Sequence, residues 1–313
     1  MSTSGAFILE NQWDKGRKFD VKFGENLYLC VCFSKLNPIF QMKRILISVA
    51  TLCFVGTGMA QPADTSAKKA AEVEKFVFTE QTTVPYTSIK NQSRSGTCWS
   101  FAGTALLESE ALRKGCDTVD LSEMWIVRHA YYEKAVRYAR MHGNTNLGPG
   151  GILEDVTYIA SQYGVVPESV YPGLNYGTEQ HVHGELDAVI KAYMDAVIAN
   201  PNRTLTTAWK AGLNGILDAY LGTCPDTFTA PDPHTGKQTT FTPASYRDAL
   251  GLQMSDYMQF TSFTHHPFYR PFALEIPDNW NWSLFYNVTL EDMEALIDAS
   301  LAAGYADSGT TPY

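Results

Sequence analysis

Asn91-Gln92-Ser93-Arg94-Ser95-Gly96-Thr97-Cys98-Trp99-Ser100-Phe101 is the stretch on which the reading of this chain turns. It passes from a polar, glycine-containing loop into an apolar-periodic run. Phe101, Ala102, Ala105, Leu106 and Leu112 fall near helical spacing, and Gly115 supplies a stop. The spacing predicts a helix over 98–114 with a thiol in its first turn. Unpaired backbone N–H groups and the helix dipole favour negative charge there, and so favour the thiolate, the nucleophilic form of cysteine. Gln92 lies six residues earlier. From that loop its side-chain NH2 can donate to the oxygen of a tetrahedral intermediate, alongside the backbone N–H of Cys98. A buried structural cysteine beside a loop glutamine is the alternative reading for a lone Cys. The six-residue spacing, the Cys-Trp pair and the helix pattern together favour the nucleophile.

Outward from this segment the pattern stays helical. Asp120 with Glu123 three residues later resembles a capping box, opening a helix to about His142 that Gly143 ends. Further helices are expected over about 152–163, 185–199, 205–221 and 290–303. Thr227–Thr229 and Thr240–Thr242, separated by Pro231, Pro233 and Gly236, read as a β-hairpin with a loose turn. Helices dominate the first half and extended segments enter later, so the class is α+β. The turn Gly148-Pro149-Gly150-Gly151 precedes the third helix. Without a Cβ, Gly151 lets an extended peptide approach and pair with the backbone.

Taken together, these motifs resemble the papain-like cysteine peptidases. Gln-x5-Cys-Trp-Ser-Phe at 92–101 is similar to the family's active-site segment, Leu121-Ser122-Glu123 to the opening of its second helix, and Gly150-Gly151 to its paired glycines. Gly164-Val165-Val166-Pro167-Glu168-Ser169-Val170-Tyr171-Pro172 is similar to its Gly…Glu-x-x-Tyr-Pro run. Ser95 stands where disulfide-stapled members carry a cysteine. The helical insertion after Tyr171, Ser262–Phe268 and Pro277-Asp278-Asn279-Trp280 resemble the bleomycin hydrolase/aminopeptidase C branch. The resemblance covers roughly residues 76–305. It implies a papain-like fold with a helical insertion, Cys98 as nucleophile, Gln92 as oxyanion donor and Gly150 and Gly151 lining the substrate backbone. It further implies an aminopeptidase acting on peptides without a cofactor, and a homo-oligomer, a hexamer by resemblance.

The general base is harder to place. A separation of about 130–150 residues from the thiol contains His234, but Asp232–Gly236 is a polar turn, so the spacing is read as coincidence. His265 and His266 follow, with Asn281-Trp282 beyond them. Pro267 and an aromatic run stand where an apolar strand is expected. His265 or His266 as general base is therefore kept beside the reading favoured here, an aromatic-lined structural histidine pair. His181-Val182-His183 has no third ligand at a recognisable spacing, so no metal site is expected. After the helix ending near Ala303, Ala306–Tyr313 turns polar where apolar residues should follow, so the C-terminal β part is expected to be incomplete. Two functions stay open: an active cysteine aminopeptidase, and a truncated relative that binds peptide without turning it over.

Composition is consistent with either. The 313 residues carry 24 Lys+Arg against 33 Asp+Glu, and 45% are hydrophobic. That apolar content excludes a disordered polyelectrolyte, and the acidic balance argues against nucleic-acid binding. Lys43-Arg44, the apolar run Ile45–Val55 and Gly58-Met59-Ala60 read as a signal peptide over 42–60, implying export. Residues 1–41 then read as an extension from a start codon called too early, standing apart from the globule. Beyond residue 60 the chain holds 17 Lys+Arg against 29 Asp+Glu, a net charge of −12. It holds three cysteines there, Cys98, Cys116 and Cys224, an odd count that leaves at least one free thiol. The organisation expected is a helical lobe with the nucleophile over 61–178, a helical and hairpin insertion over 179–260, and the start of a second lobe over 261–313.

Overall fold

The computed structural model describes residues 28–32, 79, 82–117 and 119–310. The first described element is a strand, β1 (Tyr28–Cys32), whose partners come from the far end of the chain. Three helices then form the body that carries the Cys98 segment. α1 (Cys98–Arg113) begins at the thiol itself. α2 (Glu123–Arg140) is capped by Ser122, whose hydroxyl accepts from Trp125 N at 3.0 Å. Asp120, expected as the cap, instead pairs with Lys90, because Ser122 is the residue whose side chain reaches the first-turn N–H. α3 (Leu153–Tyr163) is stopped by Gly164 at φ +71°, a conformation that costs glycine little. Leu107, Met124, Ile126, Val127, Val156 and Ile159 are almost wholly buried among these helices.

α4 (Gly184–Ile198) and α5 (Ala208–Leu221) form an antiparallel pair. Leu186, Ile190 and Met194 on one, and Leu213, Leu217 and Leu221 on the other, recur every four residues, which places each set on one helix face. All six are buried in the same apolar cluster as α1–α3. The hairpin of β2 (Phe228–Pro231) and β3 (Gln238–Phe241) pairs Phe228 opposite Phe241. The short helix α6 (Pro243–Ala249) follows, with Thr242 and Ser245 exchanging hydrogen bonds in a capping box. Phe228, Phe241 and Tyr246 join that cluster too, so residues 179–260 have no separate core.

After a single 3-10 turn the chain becomes extended. β4 (Tyr257–Thr261), β5 (Arg270–Ala273) and β6 (Leu284–Asn287) lead to α7 (Leu290–Ala302) and β7 (Ser308–Thr310). The sheet order is β5-β6-β4-β1-β7. β5 and β6 are antiparallel, and the remaining pairs are parallel. The expectation that residues 1–41 stand apart from the globule is thereby corrected over 28–32. β1 supplies every backbone partner of β4's outer edge, with Tyr28 opposite Tyr257 through Cys32 opposite Thr261. The polar run after Ala306 is likewise not all turn, because backbone pairing to β1 draws Ser308–Thr310 into the sheet regardless of side-chain polarity. The signal-peptide segment 42–60 and residues 61–75 lie outside the described residues. Among the described residues no helix is long and apolar enough to cross a membrane.

Candidate active site

Cys98 occupies the first position of α1 and is solvent-exposed. The loop before it is tightly held. Ser95 N donates to Gln92 O at 3.2 Å, and the buried hydroxyls of Ser95 and Thr97 lie 2.7 Å apart. Arg94 N donates to His181 O at 2.9 Å, and His183 N donates to Arg94 O at 3.2 Å. The segment around His181 and His183 thus backs the loop that carries Gln92, a role no sequence pattern had indicated. His183 is fully buried with neither ring nitrogen partnered, and burial lowers its pKa to about 4. Upstream, Thr87 donates to Glu108 and Lys90 to Asp120, tying the approach to Gln92 onto the C-terminal half of α1 and the segment just before α2.

The glycine turn docks against the residue after the thiol. Trp99 Nε1 donates to Pro149 O at 2.9 Å. A Cβ on Gly151 would sit 2.6 Å from Asp155 Oδ2 and 2.8 Å from the Trp99 indole, so glycine is required here by packing as well as by any substrate. A Cβ on Gly150 would run into the Asp278 carboxylate. Behind the turn lies Lys134, only 1% exposed, whose ammonium donates to the carbonyls of Gly148 and Gly150. Asp155, fully buried, accepts from Ile152 N at 3.0 Å and from Trp280 Nε1 at 2.9 Å. Burial pushes the Asp155 carboxyl up to about 6 against the opposing pull of Lys134. Lys134, Asp155, Asp278 and Trp280 are site-supporting residues that sequence reasoning missed. Their partners lie up to 132 positions away, as in the 2.9 Å bond from Asn146 to Asp278.

The structure brings Gln92, Cys98, Gly150 and Gly151 onto two adjoining segments bridged by Trp99. It does not bring His265 or His266 to them. Both imidazoles hydrogen-bond Glu275, from His265 Nε2 at 3.1 Å and from His266 Nε2 at 2.8 Å. Among the described residues no imidazole lies within hydrogen-bonding distance of Cys98. Cys116 and Cys224 each have one: Cys116 Sγ lies 3.8 Å from His234 Nε2, and Cys224 Sγ lies 3.7 Å from His129 Nε2. Burial raises both of those thiols, and it lowers His129 to about 3, so neutral thiol and neutral imidazole are favoured in the Cys224 pair. His234 also meets Ala249 O at 3.1 Å, bracing the hairpin loop against α6.

Residues 74–207 match the model of the papain family of cysteine proteases. Over 86 residues the chain is 31% identical to digestive cysteine proteinase 3 of Homarus americanus, covering 28% of this chain and 24% of that one. It is also 31% identical over 86 residues to cathepsin L2 of Homo sapiens, covering 28% and 23%. A cathepsin L-like protein of Caenorhabditis elegans is 30% identical over 110 residues, covering 35% and 30%. The matches span about a quarter of the length of these curated relatives. The fold is similar to the crystal structure of PepW from Lactobacillus rhamnosis HN001, with a TM-score of 0.55 at 17% identity over 72% of this chain and 59% of that one.

Proposed function

We propose, from the match of residues 74–207 to the model of the papain family of cysteine proteases, that this chain acts on peptides through the Cys98 thiolate. The observation that carries the reading is an exposed thiol opening α1, with Gln92 on its loop and Trp99 docked on the Gly150-Gly151 turn. Cys98 opens α1, and its thiolate is the nucleophilic form. The thiolate attacks the peptide carbonyl carbon, forming a C–S bond and moving an electron pair onto oxygen. In this reading Gln92 Nε2 and the Cys98 N–H donate to that oxygen. Collapse of the intermediate breaks the C–N bond, and the departing nitrogen takes a proton from solvent. Water then attacks the thioester, breaking the C–S bond to release the acid, return the thiolate and give a proton back to solvent. Gly150 and Gly151 offer the bare backbone along which an extended substrate pairs.

The finer reading is an exported aminopeptidase of the bleomycin hydrolase kind, working as a homo-oligomer. It rests on the resemblance of Ser262–Phe268 and Pro277–Trp280 to that branch. A second reading, peptide binding without turnover, is favoured by the lack of an imidazole beside Cys98 among the described residues. No described histidine is placed to take and return the proton that acyl transfer needs.

Iodoacetamide labelling read cysteine by cysteine tests the nucleophile. Cys116 and Cys224, both raised by burial, serve as internal slow references. Cys98 is expected to label fastest at pH 6, and labelling no faster than the other two would remove the nucleophile reading. Fluorogenic substrates with free and blocked N-termini then separate the finer readings. Cleavage of the unblocked substrate alone means an aminopeptidase, of both an endopeptidase, and of neither, with Cys98 still reactive, a binding protein.

A further inference from the structure

We propose that His265, His266 and Glu275 form a binding site for a borderline divalent transition-metal ion, with Zn2+ as the type case. The three ligand atoms lie within 4.8 Å of one another, a grouping that the ten-residue spacing in sequence did not announce. Each histidine faces the carboxylate through Nε2, at 3.1 and 2.8 Å, and each meets a different carboxylate oxygen. Ligands bound at about 2.0–2.1 Å in tetrahedral geometry stand roughly 3.3 Å apart, so small side-chain shifts would admit the ion. Two imidazoles with one carboxylate suit zinc, and argue against calcium or magnesium, which take oxygen donors.

The scaffold is already ordered for this. The histidines lie on the loop 262–269 between β4 and β5, and the buried Asn287 of β6 clamps that loop from beneath. Asn287 Oδ1 accepts from Phe263 N at 2.8 Å. Its Nδ2 donates to the carbonyls of Phe263, His266 and Pro267 at 2.9, 3.0 and 3.2 Å. The His266 ring stacks on Phe272 at 4.0 Å, and the His265 ring meets Phe263 edge-on at 5.3 Å. Both rings are therefore held by neighbours other than Glu275. The Glu275 and His265 side chains are 59% and 54% exposed, which leaves the ion a path in and an open position for water.

Metal binding replaces the hydrogen bonds that now join the three residues. Each neutral imidazole carries its proton on Nδ1 and turns the Nε2 lone pair to the ion, while Glu275 binds as carboxylate. Glu275 lies three residues before Asp278 and five before Trp280, which reach Gly150 and Asp155. The ion would brace the segment behind the glycine turn. The site stands independently of any catalysis at Cys98.

The full-length Cys98→Ser chain, stripped with chelator and titrated calorimetrically with Zn2+ alone, tests the site without zinc capture by the exposed thiol. One equivalent is expected to bind, with a rise in melting temperature that chelator reverses. Glu275→Gln and the double variant His265→Gln/His266→Gln should each weaken binding by on the order of tenfold or more. In chelator these variants should melt with the parent, which separates lost ligation from lost folding. Absorption spectroscopy of the zinc edge should report two imidazole nitrogens. Unchanged affinity in both variants, or no binding at micromolar zinc, would overturn the proposal and leave a hydrogen-bonded histidine–glutamate cluster.

Discussion

Gly151 shows how one residue can answer to two demands. Its missing side chain leaves room for Trp99 and Asp155, and in the proposed function it also bares backbone to a substrate strand. Gly151→Ala is expected to cost roughly 1–3 kcal/mol of stability, since the added methyl overpacks a buried contact. It should weaken peptide binding at the same time. Chemical denaturation with a peptide-binding isotherm checks both, and an alanine variant with unchanged stability would mean that the turn yields freely. Lys134 and Asp155 set a similar constraint from below. Each is buried, each hydrogen-bonds the turn or its flank, and burial disfavours the charged form of each. Nothing in the local sequence of α2 marks Lys134 as different from a solvated helix lysine. Its burial follows from α2 running beneath a turn sixteen residues further on.

Among the elements, the helices follow from local pattern and the sheet does not. The apolar spacing in α1–α5 and α7 places their cores within a few residues of where periodicity puts them. β4, β5, β6 and β7 are four, three or five residues long, too short to carry a period, and their pairing is set by distant partners. β1 is the extreme case. It bonds β4 and β7 across more than 220 residues of chain. A chain beginning at Gln61, as a signal-peptidase cut after Ala60 would leave, lacks β1 and exposes the facing edges of both neighbours. That chain is expected to melt lower than the full one and to elute as larger species on gel filtration, because open edges recruit other strands. Equal melting and a monomer peak would mean that β4 and β7 manage without the strand.

At the scale of the molecule, two sets of buried groups pull stability in opposite directions with pH. Burial raises Glu123 to about 8, Glu154 and Glu168 to about 7, and Asp307 to about 6. A carboxyl raised in the fold withdraws stability as pH climbs from its unfolded value, near 4, through the folded one. His129 at about 3 and His183 at about 4 are lowered, so they withdraw stability as pH falls from about 6.5 toward those values. The melting temperature is expected to peak at about pH 4, above which the four carboxyls withdraw stability faster than the two imidazoles return it, and to fall on both sides. Glu123→Gln should flatten the alkaline limb and His183→Gln the acid limb. A melting temperature that keeps rising to pH 9 would show that these carboxyls ionise without cost in the fold.

The sequence by itself determined the α+β class, the helices α1–α5 and α7 and the segment from Gln92 to Phe101, because each rests on local physics: apolar period, stop residues, and a thiol placed at a helix start. It could point to Cys98, Gln92, Gly150 and Gly151, since short motifs and fixed spacings carry them. Only the tertiary structure decided what surrounds them. It brought Trp99 onto Pro149, Lys134 under the glycine turn and Trp280 onto Asp155, through contacts between residues 14 to 125 positions apart. It also sent His265 and His266 to Glu275 rather than to the thiol. Side-chain partners of that kind are chosen by which surfaces the packed core presses together, and no window of local sequence contains that information.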